Sequence, residues 1–185
     1  MNAQKALQAL RAGYNRFVDN NQNHKSKSLL FSQQFAEAQH PKAVIVSCSD
    51  SRVPPELIFD AGFGELFTIR TAGNVVSDYD LASIEYAVVN LEVRLIIIMG
   101  HSSCGAICAA VEDSPSDSVH LTCLKEAIQP VIKEGMSIDE VAIAHTEDIA
   151  RSLTKRSHTL ESIEDLVITS CFYRLDTGEM SWGLR

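Results

Sequence analysis

The sequence predicts an α/β fold, a mostly parallel β-sheet flanked by helices and preceded by a helical arm. Three observations predict it. Near-continuous apolar runs rich in β-branched residues occur at 43–47, 66–69, 95–99 and 166–172, as expected of parallel strands covered on both faces. Helical patterns alternate with these runs, the signature of an α/β chain. Two of the runs end on clusters of reactive side chains, and ligand sites form at the carboxyl edge of open parallel sheets.

Each element follows in order. Ala6, Leu7, Leu10, Tyr14 and Phe17 fall at helical spacing and give an amphipathic N-terminal helix. The polar stretch DNNQNHKSKS separates it from a second helical pattern through Phe31 and Phe35, so residues 1 to about 37 form an arm. Beyond the first strand, helices are expected at 80–91, 104–112, 119–133 and 138–155. DTG at 176–178 marks a turn after the last long strand. No repeat, low-complexity tract or linker interrupts the chain, so residues 1–185 are expected to form one domain.

Composition narrows the partners. A net charge of −8 without a clustered basic face argues against nucleic acid. The small basic groups HKSK (24–27) and TKR (154–156) suit solvated faces. LIIIM at 95–99 is far too short to span a bilayer. The first residues lack the apolar core of a secretory signal, and five cysteines without framework spacing argue against a disulfide scaffold. The expectation is a soluble cytoplasmic protein with no membrane or nucleic-acid partner.

The first strand runs into CSDSR, which puts Cys48, Asp50 and Arg52 at alternate positions. In an extended segment residues two apart point the same way, so all three are expected on one side of a site. The third strand runs into GHSSCGA, which puts His101 and Cys104 at another strand end. If the two strands are neighbours, two thiols and an imidazole converge. That donor set suits zinc, and three protein ligands leave a fourth position for chemistry. Cys104 would start a helix, whose amino end favours a thiolate. Gly105 would permit close backbone approach where a side chain would crowd the site. A single HxxC has many chance matches, because buried cysteine also serves as a small hydrophobe. A hydrolase elbow with Ser102 as nucleophile is a further reading, weakened by Cys104 standing where the sharp turn wants glycine.

Taken together, CSDSRVPPELIFDAGFGELFTIRTAGNVV and ASIEYAVVNLEVRLIIIMGHSSCGAICAAV resemble the β-class carbonic anhydrases, closely over residues 38–112 and loosely at both ends. The resemblance implies one zinc ion per chain on Cys48, His101 and Cys104, with Asp50 and Arg52 as the active-site pair. It implies a substrate contact from Gln39, and Gly105 is grouped with substrate binding. It also implies reversible hydration of carbon dioxide by attack of zinc-bound hydroxide. Asp50 would orient that hydroxide, and Arg52 would keep Asp50 off the metal. The assembly implied is a homodimer or homotetramer, with the N-terminal helix laid across a partner subunit. Hydrolysis of carbonyl sulfide or carbon disulfide on the same metal set is the alternative activity, and a non-catalytic structural zinc is the alternative class. Among the remaining candidates, Cys108, Cys123 and Cys171 are expected to be buried and structural, the last two in the core. His24, His120, His145 and His158 are assigned surface or capping roles, and Glu85 and Tyr86 a structural helix face.

Overall fold

β1 (Ala43–Cys48) and β3 (Leu95–His101) lie at the centre of a five-stranded sheet, and every residue of both is buried. The order is β2–β1–β3–β4–β5, with β2 at Leu66–Thr71, β4 at Val167–Tyr173 and β5 at Met180–Trp182. The first four strands are parallel to one another, and β5 runs antiparallel to β4. The computed structural model describes residues 1–23, 36–113 and 116–183. The helical pattern expected through Phe31 and Phe35, and His24 with it, lies outside the described residues.

Alternation along the central strands feeds two cores. Ala43, Ile45, Leu95, Ile97 and Met99 face one way, against Ala3, Ala6 and Leu10 of α1 (Ala3–Val18) and Ile107 and Ala110 of α4 (Gly105–Val111). Val44, Val46, Ile96 and Ile98 face the other way, against Leu81, Ile84 and Val88 of α3 (Asp78–Asn90). The long α6 (Ile138–Arg156) contributes to both, through Val141 and Ala142 on one side and Ile149 and Leu153 on the other. Each fully buried Val or Ile contributes about 1.5–3 kcal/mol, so the central strands form a rigid platform for whatever their ends carry.

Local sequence sets the helix starts. Ser77 with Asp80 and Ser137 with Glu140 form capping boxes at the starts of α3 and α6. The short helices α2 (Pro55–Ile58) and α7 (His158–Glu161) complete the set with α5 (Val119–Ile128). The expected helix over 119–133 is shorter than the pattern suggested. It ends at Ile128 and passes into a 3-10 turn, Gln129–Val131. Pro130 has no N–H to continue the ladder.

The apolar face of α1 packs on the core of its own chain through Ala3, Ala6 and Leu10, with Leu7, Tyr14 and Phe17 partly buried against it. The Tyr14 hydroxyl donates to the Gly178 carbonyl at 2.8 Å. The rings of Tyr14 and Phe59 lie 6.1 and 6.0 Å from Trp182 on β5. The DTG segment is a turn as expected: Gly178 has φ +75° and donates to the Arg174 carbonyl. β5 itself was not foreseen, because three residues carry too little pattern. Among the described residues, no helix is long and apolar enough to cross a membrane.

Candidate metal centre

β1 and β3 are adjacent and pair in parallel, with Ser47 opposite Met99. Cys48 is therefore delivered to the same sheet edge as His101, and Cys104 follows at the N-cap of α4. One ligand atom from each of Cys48, His101 and Cys104 lies within 4.8 Å of the other two, and all three residues are buried. The two sulfurs are 3.9 Å apart.

The imidazole is preset for coordination. Its Nδ1 lies 2.9 Å from the Ser102 carbonyl, which can only accept, so Nδ1 carries the hydrogen. Nε2 is left with its lone pair, buried and without a hydrogen-bond partner. Metal-binding histidines typically donate the other ring N–H in this way. The thiols tell the same story. Cys48 is pulled down to about 4, first by the Cys104 thiol beside it and then against the opposing effect of burial. Cys104 is pushed up, chiefly by Cys48 and then by burial. Two anions this close oppose each other's ionisation, and a divalent cation between them removes the conflict. The residues present fit a zinc ion.

Cys48 is also surrounded by fixed donors. The backbone N–H groups of Asp50 and Gly73 point at its sulfur, at 3.4 and 3.3 Å. Arg70 of β2 clamps the backbone on either side of Ser49, donating to the carbonyls of Cys48 at 2.9 Å and Asp50 at 2.6 Å.

Asp50 and Arg52 meet, but not by the expected route. The strand stops at Cys48, and the chain turns, with the Val53 N–H donating to the Asp50 carbonyl. Alternation in an extended segment therefore does not apply. Instead Asp50 accepts from the backbone N–H two residues on, an Asx turn, at 2.9 Å. The Arg52 guanidinium folds back onto both carboxylate oxygens at 2.9 and 2.7 Å. This fork holds the Asp50 carboxyl well below the usual carboxylate range. Arg52 also reaches the Ser103 carbonyl at 3.4 Å.

The GHSSC loop is fixed from three sides. The Ser102 N–H donates to the Tyr173 carbonyl, and its buried hydroxyl accepts from the Leu175 N–H at 2.8 Å. Ser102 is thus not presented as a nucleophile, which removes the hydrolase elbow. Ser103 has φ +54°, and its N–H donates to Asp139 of α6 at 3.0 Å.

Two expected contacts are not brought to the site in the way foreseen. A Cβ built on Gly105 meets no atom within 4 Å, so crowding by the described residues is not what calls for glycine there. Gln39 lines a groove with Tyr86, Asn90 and Glu92. That groove lies at the end of α3 and the amino end of β1, opposite Cys48. Size does not mark the site either: a groove of about 640 Å³ between α6, α7 and β4 contains none of the site residues.

Of the other cysteines, Cys171 is buried as expected, whereas Cys108, expected to be buried, is only partly so and donates a hydrogen bond to Glu112 at the C-cap of α4. Cys123 is exposed rather than core, because α5 buries only Ile128. His120 and His158 are exposed as expected. Glu85 accepts from the Ser157 hydroxyl at 2.6 Å, a structural contact. His145 departs from its assigned surface role: it is buried, and its Nε2 lies 3.1 Å from the Gly73 carbonyl. The signal was available, since His145 follows Val141 and precedes Ile149 by four residues each on the apolar face of α6.

Comparison with known proteins places these features in context. A family model described as carbonic anhydrase matches residues 43–180. Carbonic anhydrase 2 of Mycobacterium tuberculosis is 39% identical over 184 residues, covering 94% of this chain and 89% of that protein. A carbonic anhydrase of Mycolicibacterium smegmatis is 39% identical over 160 residues, covering 82% and 78%. Among solved structures, the β-carbonic anhydrase CcaA superimposes with a TM-score of 0.72 at 30% identity, covering 94% of this chain and 86% of that one. A structure from work on two tetrameric β-carbonic anhydrases of Sordaria macrospora gives 0.70 at 26% identity, covering 97% and 95%.

Proposed function

Because the chain belongs to the β-class carbonic anhydrase family, whose members are carbonate dehydratases, we propose that it hydrates carbon dioxide reversibly to bicarbonate and a proton, with one zinc ion on Cys48, His101 and Cys104. The observation that carries this reading is the convergence of three buried ligand atoms within 4.8 Å at the ends of the two central strands. Zinc held there would supply a coordinated water acidified to a pKa of about 7, a nucleophile at neutral pH.

The chain's own residues do the rest. Asp50, kept ionised by the Arg52 fork, can only accept hydrogen bonds. It is suited to hold the O–H of the attacking water and aim the oxygen lone pair at substrate. Both Asp50 oxygens are engaged by Arg52, and that engagement keeps the carboxylate from taking a ligand's place itself. Arg70 and the Asx turn fix the backbone from which Asp50 projects. Gly105 leaves open space beside Cys104 for substrate. A substrate contact from Gln39 requires a second copy of the chain, since its own site lies at the far end of β1. We accordingly propose a homodimer or homotetramer, a reading supported by the tetrameric relatives. Five free cysteines agree with a cytoplasmic setting.

The test is metal analysis joined to stopped-flow hydration of carbon dioxide. Close to one zinc per chain and metal-dependent hydration are expected. A larger kcat/KM for sulfide release from carbonyl sulfide would replace the substrate. Full zinc without any turnover would leave only a structural metal.

A further inference from the structure

The N–H of Gly73 points at the Cys48 sulfur at 3.3 Å, and the carbonyl of the same residue faces His145 Nε2 at 3.1 Å. A carbonyl oxygen only accepts, so Nε2 carries the hydrogen and His145 is the donor. Burial lowers the His145 pKa, and the Gly73 contact only partly offsets it, which keeps the ring neutral. The two bonds sit on either side of one Cα. The N–H belongs to the peptide unit before Gly73 and the carbonyl to the unit after it. Gly73 holds φ +63° and ψ 22°, and Asn74 follows at φ +48°. Glycine resists rotation least of all residues, so ties on both flanking peptide units help hold this turn, beside the bond from the Thr71 hydroxyl to the Val75 carbonyl across it. Cys48 ties one and His145 the other.

The element that carries His145 is itself fixed against β3. Thr146, the next residue, packs so closely on Gly100 that no Cβ fits there, and Gly100 directly precedes His101. α6 therefore registers on the strand that bears the histidine ligand, and from that position reaches the loop that touches the cysteine ligand.

We propose that His145 is a positioning residue for the metal centre: through Gly73 it holds an N–H on the Cys48 sulfur and so sets how strongly that thiolate donates to the metal. This rests on the zinc reading above. An N–H···S bond draws charge from a thiolate. Its loss leaves the sulfur more electron-rich and frees the turn that holds it in place, so the site is less preorganised for the metal. Partners one bond removed from a ligand typically matter by about 10–100-fold in metal affinity.

The experiment compares the native chain, His145→Gln and His145→Leu, each loaded with cobalt(II). Gln keeps an N–H near the position of Nε2, and Leu keeps the bulk without the donor. In the native protein a sulfur-to-cobalt charge-transfer band is expected. In His145→Leu that band should move to longer wavelength, and cobalt affinity measured against a chelator should fall about 10–100-fold. His145→Gln should restore both most of the way. A His145→Leu protein with lowered Tm but native band and native affinity would reduce His145 to a packing role and overturn the proposal. Absence of any thiolate band in the native cobalt protein would instead overturn the metal reading, a separate outcome. If His145→Leu does not fold, the native chain loaded with cadmium-113 still decides. A scalar coupling between the metal nucleus and the Gly73 amide proton is expected across the N–H···S bond, and its absence refutes the contact.

Discussion

Cys48 and Cys104 bring their sulfurs to 3.9 Å of each other, yet the two strand ends that carry them are built differently. The Cys48 end is held from a distance in sequence. Arg70, Gly73 and, behind it, His145 fix the backbone and the sulfur. Its outer layer is charged, with the Arg52 side chain 54% exposed over Asp50. The Cys104 end is continuous in sequence. Strand, loop and helix follow one another in seven residues, and the long-range ties fall on the loop between them, from Ser102 to Tyr173 and Leu175 and from Ser103 to Asp139. At one end the tertiary contacts meet the ligand's own sulfur and backbone and carry the charged machinery. At the other they hold the uncharged loop that leads to the ligand.

Removing the ligands should have the largest effect and should treat both ends alike. Cys104→Ser and Cys48→Ser each take away a thiolate, and metal content is expected to fall well below one per chain. Full occupancy in either variant, by atomic absorption, would contradict its assignment as a ligand.

The next effect belongs to the Cys48 end alone. Arg52→Ala frees Asp50 from its fork, so zinc should remain while kcat/KM for carbon dioxide falls at least about 100-fold, as misplaced reacting groups commonly cost. Arg52→Lys should recover only part of this, because an ammonium lacks the planar fork. Stopped-flow hydration by zinc-loaded variants is the measurement, and near-native turnover would break the asymmetry.

Backbone changes should sharpen the contrast at smaller cost. Gly73→Ala forces a side chain to φ +63° and sets its Cβ 3.1 Å from that of Ala106, costing about 1–2 kcal/mol from the backbone alone. Asp139→Ala removes one acceptor for an exposed N–H and should cost about 1 kcal/mol. Denaturant unfolding should rank Gly73→Ala as the more harmful. The reverse order would mean that the Cys104 end depends more on its tie to Asp139 than the Cys48 end does on the Gly73 turn.

The smallest expected effect is a pH dependence. The folded Asp50 carboxyl lies below its unfolded value of about 3.9. Its stabilisation is therefore present above that pH and is lost as pH falls toward the folded value. The Tm difference between the native chain and Arg52→Ala should be small and constant near neutrality, since an exposed pair is screened by solvent. It should narrow as pH drops from about 5 to 2. A difference that widens on acidification would contradict the pair.

Much of this was legible in the chain. The central strands announced themselves because each residue of β1 and β3 is buried, so apolar side chains run unbroken up to Ser47 and His101 near their carboxyl ends. HxxC was legible because its two ligands lie three residues apart on one continuous segment. CxDxR was legible for its chemistry, although its geometry comes from an Asx turn and not from strand alternation. The burial of His145 was legible from its place between Val141 and Ile149 on the apolar face of α6 and was missed, while its partner carbonyl was not legible at all. Cys123 was misjudged in the opposite sense, because apolar spacing in α5 does not reveal how lightly that helix is covered.

The sequence by itself determined the α/β class, the family, the ligand types and the two strand ends that bear them. These rest on interactions within a few residues, whose geometry the backbone dictates. Only the tertiary structure decided that β1 lies beside β3, that α1 covers its own core, and that Gln39 stands at the opposite end from Cys48. It alone joined His145 to Gly73, 72 residues away, because a contact across that distance depends on how every intervening element packs.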